Sequence, residues 1–342
     1  MPTKSKRVTG RNNKPVPLGV AQIGYGVLGK SLFKAVDTHP NFQNIVVCEP
    51  NCSQTEALVQ EANGWRISLN TQYSEAINHA NVDVVFVNTP AETHYEICAA
   101  AITAGKHVFC AKPLTPNLSD SKRLVGLAQA RGVSLTVGHQ MKYSAHFQYV
   151  KEILDSKILG EISNLTFINN KRRLSPGNLK HQKNPILWEM TTHHLDTLFY
   201  LFPMEQWRLR GATLSRPARS AYDSNTHVDA LFMSNSGITL LYQSGFDSLR
   251  SNYFFRMEGS TGVLDILGDH ISMPVQHYLH TDRENTSRLL QHNRQPSSSW
   301  TSALNQLTVD IDGKNTTEIS GIKNIDVLSI IDQIERHESK RN

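Results

Sequence analysis

From Leu18 to Val137 the chain repeats one grammar. A short apolar run meets a turn, an amphipathic stretch follows, and a new apolar run begins. "LGVAQI", "NIVVCE", "VDVVFV", "HVFC" and "SLTV" are the runs; helical periodicity reaches Val36, extends from about His94 to Ala104, and returns from Ser119 to Arg131. Gly105 and Gly132 stand where two of these helices should stop. Runs of strand length alternating with helices are the pattern of βαβ units, so residues 17–140 are expected to form an α/β domain with a doubly wound parallel sheet.

The pattern then changes. After a helix over about Ala145 to Ser156 come "ISNLTFI", "HVDALFMS", "ITLLYQSGF", "SNYFFRMEG", "GVLDIL" and "ISMPVQHYL", separated by turn signals such as Ser234 to Gly237 and Gly259 to Gly262. One helical stretch, "WEMTTHHLDTLFYLF", interrupts them, a last helix is expected from Ile325 to His337, and "RQPSSSW" reads as a loop. Residues 141–342 are thus predicted to be an α+β domain with a large, mostly antiparallel open sheet. A chain of 342 residues with 39% hydrophobic content can bury two such cores.

The formal charge of +5 does not point to nucleic acid, because Lys4, Lys6, Arg7, Arg11 and Lys14 all lie in the first 16 residues, which hold no acid. The remainder has as many acidic as basic residues, so residues 1–16 are expected to be a disordered basic tail on a neutral body. The tail lacks the apolar core of a secretory signal and no run is long enough to span a bilayer, which predicts a cytoplasmic protein with no membrane partner. Cys48, Cys52, Cys98 and Cys110 form neither CxxC pairs nor a disulfide framework.

Gly24, Gly26 and Gly29 follow the first strand and open the first helix. Such a turn needs one glycine for its tight bend, one to let the backbone approach a pyrophosphate, and one for close packing of helix on strand; the helix N-terminus adds favourable charge. Glu49 ends the second strand, where a carboxylate would accept hydrogen bonds from adenosine ribose hydroxyls. Pro50, Asn51 and Cys52 follow it, with no adjacent cation to neutralise a 2′-phosphate, so NAD is expected over NADP.

Glu189 and His193 are four residues apart on the interrupting helix and are expected to share a face. A metal is not expected there, since His193 and His194 would point about 100° apart and no third ligand is evident. The spacing alone equally suits an ion pair on a solvated surface; a general base of near-neutral pKa suits alcohol oxidation, and in that reading His193 transfers the proton with Glu189 supporting its imidazolium.

"GYGVLG", "VNTPAETHYEICAAAITAGKHVFCAKPL", "GHQMKYSAHFQYVKEIL" and "WEMTTHHLD" together resemble the Gfo/Idh/MocA family, from about Leu18 to the final helix. The resemblance implies a Rossmann domain in which the peptide groups of Val27 and Leu28 face the pyrophosphate. Thr89, Pro90 and His94 would lie along the cofactor, and Lys112 would fill the lysine of the Glu-Lys-Pro motif, touching both the nicotinamide ribose and the reacting hydroxyl. The family's Asp-x-Gly-x-His-x-x-Asp segment falls on Glu189, Thr191, His193 and Asp196. Two departures are Ala111, in place of the motif's glutamate, and Glu189 with Thr191, in place of Asp and Gly.

The resulting expectation is an NAD(P)-dependent oxidoreductase acting on a sugar, polyol or cyclitol. Lys112, Glu189 and His193 are its catalytic groups, with Gln140, Lys142, Tyr143, His193, His194 and the loop "NNKRRLSPGNLKHQKNP" around the substrate. Two alternatives are a non-catalytic dinucleotide- or sugar-sensing regulator and a redox-neutral enzyme with tightly held NAD. A large sheet with one uncovered face would expose apolar surface, so a homodimer or homotetramer built on it is expected.

Overall fold

The computed structural model describes residues 16–51, 67–271, 275–281, 287–291, 299–313 and 321–339. The basic tail, Cys52 and most of "RQPSSSW" lie outside these.

Along the chain come β1 (Leu18–Ile23), α1 (Val27–Asp37), β2 (Phe42–Cys48), β3 (Ser68–Asn70), α2 (Tyr73–Asn78), β4 (Val84–Val87), α3 (Ala91–Thr103), β5 (His107–Cys110), α4 (Leu118–Arg131) and β6 (Leu135–Val137). After α5 (Ala145–Asp155) and β7 (Ile162–Arg172), a π-helical turn (Leu187–Thr191) runs directly into α6 (Thr192–Leu201). Then follow β8 (Trp207–Ser215), β9 (His227–Ser234), β10 (Thr239–Gly245), β11 (Asp247–Gly259), β12 (Gly262–Gly268), β13 (Gln276–Thr281) and β14 (Ser287–Leu290). Two helices close the chain, α7 (Ser299–Ile311) and α8 (Gly321–Ser339).

Two compact units result, Met1–Tyr143 with Ser297–Asp326, and Ser144–Pro296 with Val327–Asn342. This corrects the expectation that everything beyond residue 140 is one domain. In α7, Ala303, Leu304 and Leu307 are buried among Val20, Leu32, Phe86 and Phe109, so the helix completes one layer of the first unit's sheet. No helix is expected here from the sequence, because "TSALNQLTVDI" follows a polar, Pro/Ser-rich lead-in that reads as a loop.

The first unit's sheet has the order β3-β2-β1-β4-β5-β6, with each pair parallel. Its inner strands are buried on both faces: α1 and α7 cover one, while Ile97, Ile102, Leu124 and Ala128 from α3 and α4 cover the other. Strand order reverses between β1 and β4, and in open α/β sheets ligands bind beyond the carboxyl ends of strands at such a switch.

The second unit's sheet has the order β14-β13-β12-β11-β7-β10-β9-β8; β7 and β10 are parallel and the other neighbours antiparallel. Phe167, Phe232 and Tyr242 point to one face, where the His194 ring of α6 packs tilted against Phe167, 4.9 Å between ring centres. Leu231 and Leu241 alternate to the other face and are exposed.

Candidate functional site

The first candidate site grows from the end of β1. Gly24 turns with φ of 92°, a conformation that favours glycine, and a Cβ there would also lie 2.9 Å from the Asn88 carbonyl oxygen. At Gly29 a Cβ would fall 2.3 Å from the Gly24 carbonyl oxygen, so α1 can seat this close to the turn only with glycine. Around Gly26, by contrast, a Cβ would meet nothing within 4 Å. Two glycines are pressed by protein and the middle one faces open space, which is the cradle a pyrophosphate needs. The neighbouring Val27 is 89% exposed, at the helix end whose first amides lack intrahelical acceptors.

A buried amide ladder unforeseen in the sequence reading holds this turn. Asn88 Nδ2 donates to Gln22 Oε1 at 2.9 Å, Gln22 Nε2 to Asn44 Oδ1 at 3.2 Å, and Asn44 Nδ2 to the Phe33 carbonyl at 3.0 Å. Strands β4, β1 and β2 and helix α1 are thereby tied together under the glycines. The available signal was Gln22 itself, a polar residue inside an apolar run that both faces of the sheet bury. Asn88 Oδ1 remains a buried acceptor without a hydrogen-bond partner among the described residues. The cradle at Gly26 fits a dinucleotide.

Glu49 follows β2 at the same edge. Its Oε2 accepts from the Tyr25 amide at 2.8 Å and its Oε1 from the Asn51 amide at 2.9 Å, which braces the glycine turn. A carboxylate has roughly four acceptor positions, so lone pairs remain for ribose hydroxyls. Burial and the charges of Glu49 and Glu75 push the Cys48 thiol up to about 11, leaving it a protonated core residue.

Thr89 and Pro90 follow β4, and Lys112 follows β5, half-buried, with a cis peptide to Pro113. Gly24, Gly26, Glu49, Thr89, Pro90 and Lys112 thus stand at the carboxyl edge of one sheet. His94 takes a different part from the one expected. It is 1% exposed, with Nδ1 2.8 Å from the Pro113 carbonyl oxygen and Nε2 2.8 Å from that of Thr89. Cys110 Sγ also lies 3.3 Å from Nδ1, so His94 is packed between the Thr89 and Pro113 segments, and whichever nitrogen carries the proton donates to the carbonyl it faces.

Gln140 is half-buried at the end of the first unit's sheet. Lys142 is 1% exposed, and the Tyr143 ring packs in the core with Val20, Leu32 and Phe109. Tyr143 is therefore a core residue, which corrects its assignment to the substrate.

In the second unit, Glu189 sits within the π turn and His193 at the start of α6, both half-buried. The Thr192 amide bonds to the Leu187 carbonyl, five residues back, so the turn widens by one residue between the two side chains. Glu189 and His193 remain four residues apart on one continuous helical stretch, π-wound through Thr191 and α-helical after it.

His194 is also corrected. It is fully buried; Asn169 Nδ2 donates to its Nε2 at 2.9 Å, and its Nδ1 donates to Tyr242 Oη at 2.7 Å. Tyr242 in turn donates to Thr191 Oγ1 at 3.2 Å, and Thr191 to the Ile186 carbonyl at 3.1 Å. This chain is consistent in every donor and acceptor, fixes the neutral tautomer, and ends on the π turn that carries Glu189. Burial, with His270 and Lys171 nearby, lowers the His194 pKa to about 3. Its ring is sealed within the protein and supports the π turn.

Among the described residues no group of three His, Cys, Asp or Glu is placed to hold a metal ion, and no helix is long and apolar enough to cross a membrane.

Residues 18–139 match the family model described as "Oxidoreductase family, NAD-binding Rossmann fold". The first unit's Rossmann domain belongs to the Gfo/Idh/MocA family. Among curated proteins, the chain is 28% identical over 194 residues to an uncharacterized oxidoreductase of Schizosaccharomyces pombe, covering 54% of this chain and 52% of the relative. It is 26% identical over 186 residues to inositol 2-dehydrogenase of Salmonella typhimurium, covering 52% and 53%. The aligned part spans about half the length of these curated relatives.

Solved structures share the fold over nearly the whole chain at low identity. The aldose-aldose oxidoreductase of Caulobacter crescentus, complexed with glycerol, superposes with a TM-score of 0.83 at 17% identity, over 96% of this chain and 99% of that one. A 3-ketoreductase from Actinomadura kijaniata, in complex with NADP and TDP-benzene, gives 0.78 at 17% identity over 94% and 98%.

Proposed function

We propose that the protein is an NAD(P)-dependent oxidoreductase that interconverts a hydroxyl and a keto group on a sugar, polyol or cyclitol. The observation carrying this reading is the glycine turn, closed by protein at Gly24 and Gly29 and open at Gly26. The amides at the start of α1 would hold the pyrophosphate of a nicotinamide dinucleotide and Glu49 would take its ribose hydroxyls, and the nicotinamide would supply the hydride acceptor or donor. The Glu49 carboxylate would repel a 2′-phosphate, which favours NAD over NADP.

In the oxidising direction, His193 receives the hydroxyl proton and Glu189 stabilises the resulting imidazolium. The Lys112 ammonium favours the alkoxide character that develops on the oxygen. His94 keeps the Lys112–Pro113 segment in register with Thr89. In the reverse direction His193 returns the proton.

The test is formation of NADH or NADPH by the purified protein with a panel of polyols, aldoses and inositols. Lys112→Ala and His193→Ala should each lower turnover by about a hundredfold or more while the dinucleotide still binds. Near-normal turnover in either variant would remove that residue from the mechanism.

A further inference from the structure

Gln22 is the exception in β1. It lies inside an apolar run, is fully buried, and carries an amide that must find partners within the protein. Apolar side chains of similar volume would serve the sheet as well, because buried polar partners replaced together by apolar groups leave stability nearly unchanged. Stability alone does not account for this amide.

Its partners give the row of bonds a single sense. The Phe33 carbonyl can only accept, so Asn44 turns Nδ2 to it at 3.0 Å and presents Oδ1 to Gln22 Nε2 at 3.2 Å. Gln22 then presents Oε1, which accepts from Asn88 Nδ2 at 2.9 Å. One carbonyl on α1 thus fixes the rotation of three side chains in turn, the last of them directly after β4.

At Asn88 the ladder meets the glycine turn. The Asn88 amide donates to the Ile23 carbonyl at 2.8 Å, and its carbonyl oxygen lies 2.9 Å from where a Cβ of Gly24 would be. Its own Cβ lies 3.8 Å from the corresponding point at Gly29. The residue that backs both closed glycines is therefore the one the ladder holds. On the β2 side the turn is tied by the Gly24 amide to the Cys48 carbonyl at 2.8 Å and by the Tyr25 amide to Glu49 at 2.8 Å. A Cβ on Gly26 would meet nothing within 4 Å, so the open part of the cradle takes its shape from these supports.

We propose that Gln22, Asn44 and Asn88 are positioning residues for the dinucleotide. They hold the glycine turn in the shape that accepts a pyrophosphate, and they set cofactor affinity rather than fold stability. This rests on the glycine turn being the dinucleotide site. A turn already held in its bound shape gives up less freedom on binding, which is how supports that never touch a ligand raise its affinity.

The test is fluorescence titration of the full chain with NADH and with NADPH, alongside its melting temperature. Gln22→Leu alone strands the Asn88 donor and the Asn44 acceptor, so stability and affinity should both fall. Gln22→Leu, Asn44→Leu and Asn88→Leu combined leave no stranded amide. In that triple variant the melting temperature should return to within about 4 °C of the parent. Binding of the preferred cofactor should stay about tenfold or more weaker. A ladder that is merely structural gives the opposite result, with affinity recovering as stability does. Affinity within about threefold of the parent in the triple variant overturns the proposal and leaves the dinucleotide site standing. A triple variant that melts as low as Gln22→Leu, or fails to fold, shows that the ladder serves the fold and overturns it too. A parent chain that binds neither NADH nor NADPH removes the site itself, and the proposal with it.

Discussion

At the scale of single residues, neighbours with similar chemistry are assigned opposite work by burial. His193 and His194 adjoin in sequence, yet only the second is sealed between Asn169 and Tyr242. Below its ordinary value of 6.5 the unfolded chain would bind a proton that the folded one refuses down to about 3. The His194 contribution to stability is therefore full above pH 6.5 and falls as the pH drops towards 3, by about 1.4 kcal/mol per unit. Urea unfolding at pH 7 and pH 5 should show a shallower pH slope for His194→Gln than for the parent chain; equal slopes would mean that His194 is not held neutral. The glycines divide in the same way. Gly29→Ala forces a methyl against the Gly24 carbonyl, with an expected loss of about 1–3 kcal/mol in thermal or urea unfolding. Gly26→Ala meets no protein atom, so the melting temperature should hold while dinucleotide affinity falls about tenfold or more. Unchanged affinity would place the pyrophosphate elsewhere.

At the scale of elements, α7 and the π turn carry consequences that neither propensity nor periodicity announces. Leu304 and Leu307 cover Phe86 and Phe109 from a segment about 200 residues downstream of them. Leu304→Ala should cost about 2–5 kcal/mol and lower the unfolding midpoint of the unit that binds dinucleotide. A change within about 0.5 kcal/mol would show that α7 is a peripheral helix. The π turn was not legible because its residues, "LWEMT", satisfy a helical pattern whatever the backbone period. Its widening is decided by the bonds it makes, from Thr191 to Ile186 and from Thr192 to Leu187.

For the whole molecule, the second unit's sheet has one face covered by α6 and another that carries exposed Leu231 and Leu241. An open antiparallel sheet with such a face is a natural place for self-association. Light scattering after gel filtration should report a dimer or tetramer, and Leu241→Arg should shift it to monomer while dinucleotide binding persists. A parent chain that is already monomeric would remove this expectation.

What the sequence determined by itself was whatever short-range pattern encodes: the βαβ alternation, the glycine turn with Glu49 after the second strand, the change to antiparallel grammar, and the lysine and histidine at recognisable positions. Those features depend on local periodicity and turn chemistry, which a reader of residues can follow. The tertiary structure decided what depends on burial and on partners distant in sequence. His94 became a clamp and His194 a sealed support only when carbonyls, an amide and a phenol arrived from other elements. Tyr143 entered the core and α7 joined the first unit, because packing chooses a side chain's surroundings after the local pattern has placed its backbone.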